Sequence, residues 1–195
     1  LKSIEKEPGP YEPKNPDLPD EPPEPILVDE AGYVGPALKG DPKITSCFEV
    51  RDSITKYHHG IDFSAVTGTE VMAISTGTVV QAEYWGGYGN VIKIEHQIPD
   101  SSIRYWSVYG HLSDMFVDVG KTVRKGQVIG LSGNTGDSTG PHLHLEIRLG
   151  ENYYNNAVNP VWFAPEVYGE YINKYYEPPS PCRDSPCDWQ SGAIC

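Results

Sequence analysis

Polar and apolar residues alternate with a period of two at residues 142–148, whose sequence is HLHLEIR. Leucine and isoleucine take every second position, and His142, His144, Glu146 and Arg148 take the positions between them. Because successive side chains of a strand point to opposite faces of the sheet, the pattern predicts a half-buried strand with both histidines on its polar face. Their Cα atoms then lie about 6.6 Å apart along the strand. One imidazole could bind a metal beside the other, although a plain polar face can also contain two histidines.

Short segments rich in β-branched and aromatic residues recur through the middle of the chain, separated by glycine-rich turns. Strong helical periodicity extends nowhere over more than about two turns. These features predict an all-β domain over residues 39–170, with antiparallel sheets packed as a compact sandwich or a barrel-like structure. The predicted strands are 43–50, 58–65, 70–75, 77–85, 90–97, 104–112, 127–133 and 142–149.

The amino-terminal segment, residues 1–38, has proline every few positions between carboxylates. Such a segment buries too little apolar surface to offset its chain entropy, which predicts an extended arm or linker without a core. The alternative is a pro-segment laid across an active site, with a side chain such as Asp29 or Asn15 over the metal.

The carboxyl-terminal segment, residues 171–195, is rich in tyrosine, proline and cysteine. It contains Cys182, Cys187 and Cys195, and the fourth cysteine of the chain is Cys47. An even number clustered in a tail predicts disulfides formed in an oxidising compartment, although the sequence cannot tell their pairing. A zinc site built from these cysteines is the less favoured alternative, because their spacing is irregular for such sites.

Length and charge narrow the class of protein. The chain has 195 residues, 38% of them hydrophobic, which suits one domain with appendages. Its net charge of −12 repels phosphate groups, so nucleic acid and anionic membrane surfaces are not expected partners. No apolar run approaches the roughly 20 residues of a transmembrane helix. The chain begins without a leader pattern, so a leader or anchor is expected only outside this sequence.

The six histidines all lie within the predicted β domain. In the segment HHGIDF, His58 and Asp62 share one face of a strand. Positions four apart on an extended strand are about 13 Å apart, too far for two ligands of one ion. The backbone is therefore predicted to bend between them, and Gly60 is the residue that permits the bend.

Adding one histidine of the pair 142 and 144 gives two nitrogens and one oxygen, a donor set that suits zinc and leaves a fourth position open for water. The remaining histidine and His111 would flank that water as proton donor and acceptor. Spacing alone leaves open which of His142 and His144 binds the metal.

These motifs resemble the lysostaphin/LytM-type zinc metallopeptidases, which hydrolyse peptide bonds in bacterial peptidoglycan. The resemblance extends from about Thr45 to Pro160 and rests on an H-x3-D motif, an H-x-H motif and the glycines between them. It implies a compact antiparallel β fold with a metal at the floor of a groove walled by loops. The segments that carry it are HHGIDFSAVTGTEVMAISTGTVV, GGYGNVIKIEH, YGHLS, VDVGKTVRKGQVIGLSGNTGDSTGPHLHLEIR and AVNP.

Carried over by position, the resemblance makes His58, Asp62 and His144 the ligands of one Zn²⁺ and leaves His111 and His142 as the catalytic pair. It implies an extracytoplasmic zinc endopeptidase that acts on the peptide stems or cross-bridges of peptidoglycan. The alternatives are a catalytically silent binding or activator module of the same fold, and a structural adaptor in an envelope complex.

Other residues near these motifs have less specific expectations. His59 is expected to pack against neighbouring side chains or to contact a metal-binding residue. His96 is expected to support the fold rather than to take part in catalysis. Glu146 is expected to be a solvated carboxylate rather than a hydrogen-bond partner of a ligand imidazole. The loops 85–90 and 151–156 are candidate walls of the groove or simple hairpin tips.

Overall fold

Strands dominate the computed structural model, which describes residues 34–40, 42–51, 56–98, 102–153 and 156–164. The strands are β1 (Ile44–Ser46), β2 (Glu49–Arg51), β3 (Lys56–His58), β4 (Ile61–Ser64), β5 (Glu70–Met72), β6 (Gly77–Tyr84), β7 (Asn90–Gln97), β8 (Arg104–Leu112), β9 (Asp114–Met115), β10 (Thr122–Val123), β11 (Val128–Leu131), β12 (His142–Leu149) and β13 (Ala157–Val158). A 3₁₀ turn at Gly86–Tyr88 and one short helix, α1 (Pro160–Phe163), complete the elements of the described residues.

The strands form one large antiparallel sheet and two small ones. The large sheet has eight strands in the order β1-β4-β12-β8-β7-β6-β10, and β13 adds to the end of β12. A second sheet has the order β5-β11-β9, and β2 pairs with β3. The predicted all-β, antiparallel class is confirmed. The large sheet does not close into a barrel, because β1 and β10 stand at its opposite ends.

The core lies on one face of the large sheet, opposite His142 and His144 of β12. Leu143, Leu145 and Ile147 of β12 are fully buried in it, as the alternation predicts. The core also takes in residues before the predicted domain boundary, since Val34 and Leu38 are each 2% exposed and belong to the same cluster. Residues 1–33 and the tail 171–195 lie outside the described residues, so the extended arm and the disulfide pairing stay predictions.

His96 lies on the core side of the sheet, far from solvent. Its Nε2 is 2.7 Å from Ser107 Oγ, and its Nδ1 is 3.0 Å from the carbonyl oxygen of Thr76. Its ring stacks on Tyr105 with centroids 4.7 Å apart. Burial lowers the pKa of His96 to about 4, so the ring is neutral at neutral pH. These contacts agree with the structural role expected for His96.

The buried His96 predicts a loss of stability in mild acid. The unfolded chain takes up a proton near pH 6.5, whereas the folded ring resists protonation until about pH 4. The free energy of unfolding should therefore fall by about 2–3 kcal/mol between these pH values on account of this residue. Denaturant unfolding of the metal-stripped protein measures the slope. In the variant His96→Gln, the free energy of unfolding should fall by about 2–3 kcal/mol less over the same pH range. An equal fall in the variant and the wild type would contradict the conclusion that the buried, neutral His96 causes it.

Among the described residues, no helix is long and apolar enough to cross a bilayer.

Candidate metal centre

The H-x3-D and H-x-H motifs meet on the face of the large sheet opposite the core. β12 pairs with β4 so that His144 stands directly across from Asp62. On its other side β12 pairs with β8, which places Gly110 beside His144 and His111 next along the chain. His58 is the last residue of β3 and approaches the same point from the side. Strand pairing thus joins residues that are more than 80 positions apart.

Three side chains converge within hydrogen-bond distance of one another. His58 Nε2 is 3.0 Å from Asp62 Oδ1 and 3.0 Å from His144 Nδ1. His144 Nδ1 is 2.9 Å from Asp62 Oδ1. Donor atoms around a tetrahedral zinc ion, with bonds of about 2.0–2.1 Å, are roughly 3.3 Å apart. Two imidazole nitrogens and one carboxylate oxygen at these spacings fit such an ion and leave a fourth position for water.

The predicted bend at Gly60 is present and separates β3 from β4. It lets His58 and Asp62 reach the same point, although an extended strand would hold them about 13 Å apart. The bend also presses the backbone against β12. A Cβ at Gly60 would overlap the carbonyl group of Leu145. No other residue type fits this position without a shift of one strand.

Gly60→Ala is therefore expected to destabilise the fold by about 1–3 kcal/mol and to weaken metal binding, because it moves β4 away from β12. Denaturant unfolding and zinc competition with a chelator measure the two effects. Gly140→Ala is the matched control for stability, since a Cβ at that position would have no neighbour within 4 Å. Equal stability of both variants would contradict the expectation, because it would show that the site beside the carbonyl group of Leu145 accepts a Cβ at position 60.

Backbone carbonyl groups fix the tautomers of three histidines. Nδ1 of His58 is 2.7 Å from the carbonyl oxygen of Cys47, Nδ1 of His142 is 2.8 Å from that of Gly140, and Nδ1 of His111 is 2.8 Å from that of Thr135. A carbonyl oxygen only accepts, so each Nδ1 carries the proton. Each Nε2 therefore keeps its lone pair, which can bind a metal or take up a proton.

His111 and His142 stand side by side next to the three converging donors. Their ring centroids are 4.6 Å apart, and His142 Nε2 is 3.7 Å from Asp62 Oδ1. His111 has a φ of 62°, a left-handed conformation that is uncommon for a residue other than glycine. Burial lowers the pKa of His111 to about 4. Its imidazole is thus neutral at neutral pH and available as a proton acceptor.

The converging donors attract positive charge. Burial alone would raise the pKa of Asp62, but hydrogen bonds from His144 and His58 hold it well below its usual range. Burial alone would lower the pKa of His144, but its bonds to Asp62 and Glu146 raise it to about 9. The ionised carboxylate of Asp62 thus lies beside the imidazole of His144, which binds a proton tightly. A metal ion that binds here displaces a proton, so its affinity falls as the pH falls.

Glu146 is not the solvated carboxylate expected from the sequence. It is 1% exposed, and its Oε1 accepts a hydrogen bond of 3.0 Å from Nε2 of His144. The expectation was wrong because the sequence pattern does not show that Tyr88, from the loop before β7, covers this part of the polar face. Although burial would raise the pKa of Glu146, the bond from His144 and the charge of Arg148 lower it to about 2.

A cleft of about 820 Å³ lies above the converging donors. Tyr88 and Gly87 line it, so the loop 85–90 is both the tip of the β6–β7 hairpin and a wall of the cleft. His59 also lines it, beside His58 but outside the donor cluster. Of the loop 151–156, the part that the structure describes does not line the cleft.

An open cleft with a nitrogen–nitrogen–oxygen donor set and two adjacent histidines is the arrangement of a metal-dependent hydrolase. Comparison with known proteins gives the family. The sequence profile of peptidase family M23 matches residues 56–160, which include all five of these side chains. The chain belongs to this family.

Characterised relatives agree with this assignment. The chain is 45% identical over 114 residues to the glycyl-glycine endopeptidase ALE-1 of Staphylococcus capitis, covering 57% of this chain and 30% of that protein. It is 42% identical over 109 residues to the DD-carboxypeptidase/endopeptidase Mpg of Neisseria meningitidis serogroup B, covering 56% of this chain and 23% of the relative. The chain thus spans less than a third of the length of either relative.

A solved structure extends the comparison to the fold. The catalytic domain of the antimicrobial peptidase lysostaphin from Staphylococcus simulans superposes with a TM-score of 0.57 at 36% identity. The superposition covers 64% of this chain and 92% of that domain. The family supports peptidase activity and a metal ion, and His58, Asp62 and His144 form the candidate site for that ion in the described part of the chain.

Proposed function

We propose that this protein is an extracytoplasmic zinc endopeptidase that hydrolyses peptide bonds in the cross-links of bacterial peptidoglycan. The observation that carries the proposal is the convergence of His58 Nε2, Asp62 Oδ1 and His144 Nδ1 within about 3 Å of one another, next to two further histidines. Relatives named as a glycyl-glycine endopeptidase and a DD-carboxypeptidase/endopeptidase support the substrate class.

The three converging residues would hold the zinc ion. Zinc, when bound, supplies a Lewis acid that polarises a carbonyl group and acidifies a water molecule. Two neutral imidazoles and one carboxylate leave a single positive charge on the site, which favours an electron-rich carbonyl oxygen in the cleft.

His111 and His142 would move the protons of the reaction. Both rings carry their proton on Nδ1, where a backbone carbonyl holds it, so both act through Nε2. Nε2 of one of the two rings would accept a proton as water attacks the scissile carbonyl, and the ring would then return this proton to the leaving amine. While it is protonated, the ring would also stabilise the negative charge that develops on the oxygen of the scissile carbonyl group.

The cleft walls favour an extended peptide. The 820 Å³ cleft is open, and its lining combines Tyr88 with the loop residues 137–140. Polar loop residues beside an aromatic ring can offer hydrogen bonds and an apolar contact to a bound peptide. Glycine-bridged and direct cross-links are both candidate substrates, because the two relatives are named as a glycyl-glycine endopeptidase and a DD-carboxypeptidase/endopeptidase.

Digestion of purified peptidoglycan tests the proposal. Glycine-bridged and directly cross-linked walls are incubated with the protein, with and without a zinc chelator, and the products are identified by mass spectrometry. A chelator-sensitive product is expected from one of the two walls, and its new termini identify the scissile bond. Zinc-loaded protein that releases no product from either wall would contradict the proposal and favour a silent binding module.

A further inference from the structure

A buried row of charged side chains continues from the metal site along β12. His144, Glu146 and Arg148 alternate along the strand and lie on the same face. Glu146 and Arg148 are each 1% exposed. Arg148 donates from Nε and Nη2 to Oε2 of Glu146, at 2.9 Å and 2.7 Å. Its third nitrogen, Nη1, donates to Oδ1 of Asn152 at 2.9 Å.

The two oxygens of Glu146 have different partners. Oε2 accepts both hydrogen bonds from Arg148, while Oε1 accepts from Nε2 of His144 at 3.0 Å and from the hydroxyl of Tyr88 at 2.5 Å. Nη2 of Arg148 also donates to the Tyr88 hydroxyl oxygen at 3.0 Å. The carboxylate is therefore held from two sides, and only one of its oxygens faces the metal site.

This geometry selects the tautomer of His144. An ionised carboxylate can only accept, so Nε2 of His144 must carry a proton, and in the neutral ring that binds a metal ion Nδ1 must therefore carry the lone pair. Nδ1 is the nitrogen that faces Asp62 and His58. The opposite tautomer would direct an N–H at the metal position and remove one ligand. His58, His111 and His142 obtain their tautomers from backbone carbonyls, whereas His144 depends on a side chain.

We propose that Glu146 is a positioning residue of the metal centre, which orients His144 and fixes its tautomer, and that Arg148 and Tyr88 hold the carboxylate of Glu146 in place for this role. The inference rests on the proposed zinc site. A purely structural ion pair is the competing explanation. Two apolar side chains of similar volume would stabilise the interior as well or better. They could not, however, accept the hydrogen bond from Nε2.

The test compares variants that differ in whether they can accept the hydrogen bond from Nε2 of His144. Both are double variants, because removal of Glu146 alone would leave Arg148 charged and buried and could unfold the protein. The double variant Glu146→Leu/Arg148→Met replaces the ion pair by apolar groups and removes the acceptor. The matched control Glu146→Gln/Arg148→Met also lacks both charges but keeps a side-chain oxygen that can accept from His144. Unfolding curves with a chelator present establish that both variants fold.

Zinc affinity is then measured by competition with a chelator, without any peptidoglycan. The leucine variant is expected to bind zinc about 10–100-fold more weakly than the wild type, the usual effect of losing such a partner, and the glutamine control should lose less. If the folded leucine variant binds zinc as tightly as the control and the wild type, the inference is overturned. If the wild-type protein itself binds no zinc, the proposed function fails instead, and the inference fails with it.

A second measurement needs no variant. In the ¹⁵N spectrum of histidine-labelled, zinc-loaded wild-type protein, His144 should show a slowly exchanging proton on Nε2 and a Nδ1 that carries none. A proton on Nδ1, or a rapidly exchanging one on Nε2, would overturn the inference even if neither double variant folds.

Discussion

His111→Asn is expected to lower kcat for peptidoglycan hydrolysis by about 10²–10⁴-fold while the protein keeps its zinc. His111 lies outside the three converging donors, so its loss removes a proton carrier and no ligand. Asparagine is chosen because it tolerates the left-handed backbone at this position, where φ is 62°, better than alanine. Steady-state rates on soluble peptidoglycan fragments and metal analysis of the purified variant measure the two quantities.

The retained zinc content serves as the control in this experiment. A variant that has lost both zinc and activity would place His111 in the metal site rather than beside it. Full activity with zinc present would exclude His111 from the chemistry of hydrolysis.

Asp62→Asn is expected to weaken zinc binding by more than about 100-fold and to abolish hydrolysis at low micromolar zinc. Even the loss of a hydrogen-bond partner of a ligand costs about 10–100-fold in metal affinity, and Asp62 is the single negative charge of the donor set. Its amide analogue has nearly the same shape, so the fold should persist without metal. Competition with a chelator measures the affinity.

Asp118→Asn is the matched control for this substitution, because Asp118 is exposed and lies far along the chain from the donor cluster. It removes the same charge from the protein and should leave zinc affinity unchanged. A similar loss in both variants would mean that net charge, rather than the ligand atom of Asp62, governs binding.

The local pattern of the sequence predicts the longest strands well. The predicted strands 90–97, 104–112 and 142–149 coincide with β7, β8 and β12. These segments are long, and their alternation or apolar content is regular, so pairing and burial agree with local preference. The segment 58–65 is predicted as one strand with a bend at Gly60, and the structure divides it there into β3 and β4.

Features that depend on distant contacts cannot be predicted in the same way. The two-residue strands β9, β10 and β13 are missing from the prediction, because such strands are defined by their neighbours rather than by periodicity. The segment 43–50 is predicted as one strand, but the chain breaks between β1 and β2. The two parts pair with different partners, β4 and β3, which no local pattern reveals.

In the candidate site, too, the features set by local motifs could be predicted, and the feature that depends on a distant contact could not. The motif spacing identifies the five histidine and aspartate side chains, whose convergence the structure shows, and the bend at Gly60 follows from metal-ligand geometry. The sequence favours a solvated Glu146 over a hydrogen bond between Glu146 and His144, because the burial of Glu146 depends on Tyr88, 58 positions earlier in the chain. The one available signal was the alternation itself, which puts Glu146 on the same face as His144 and two residues along the strand.

The central claim is that one zinc ion, held by His58, Asp62 and His144, is required for hydrolysis of peptidoglycan cross-links. The most direct test removes all metal with a chelator, exchanges the chelator away and measures hydrolysis as zinc is returned in small steps. Activity is predicted to be absent in the stripped protein and to rise in proportion to zinc until one equivalent per chain is bound. Hydrolysis by the stripped protein, or none at any zinc concentration, would contradict the claim.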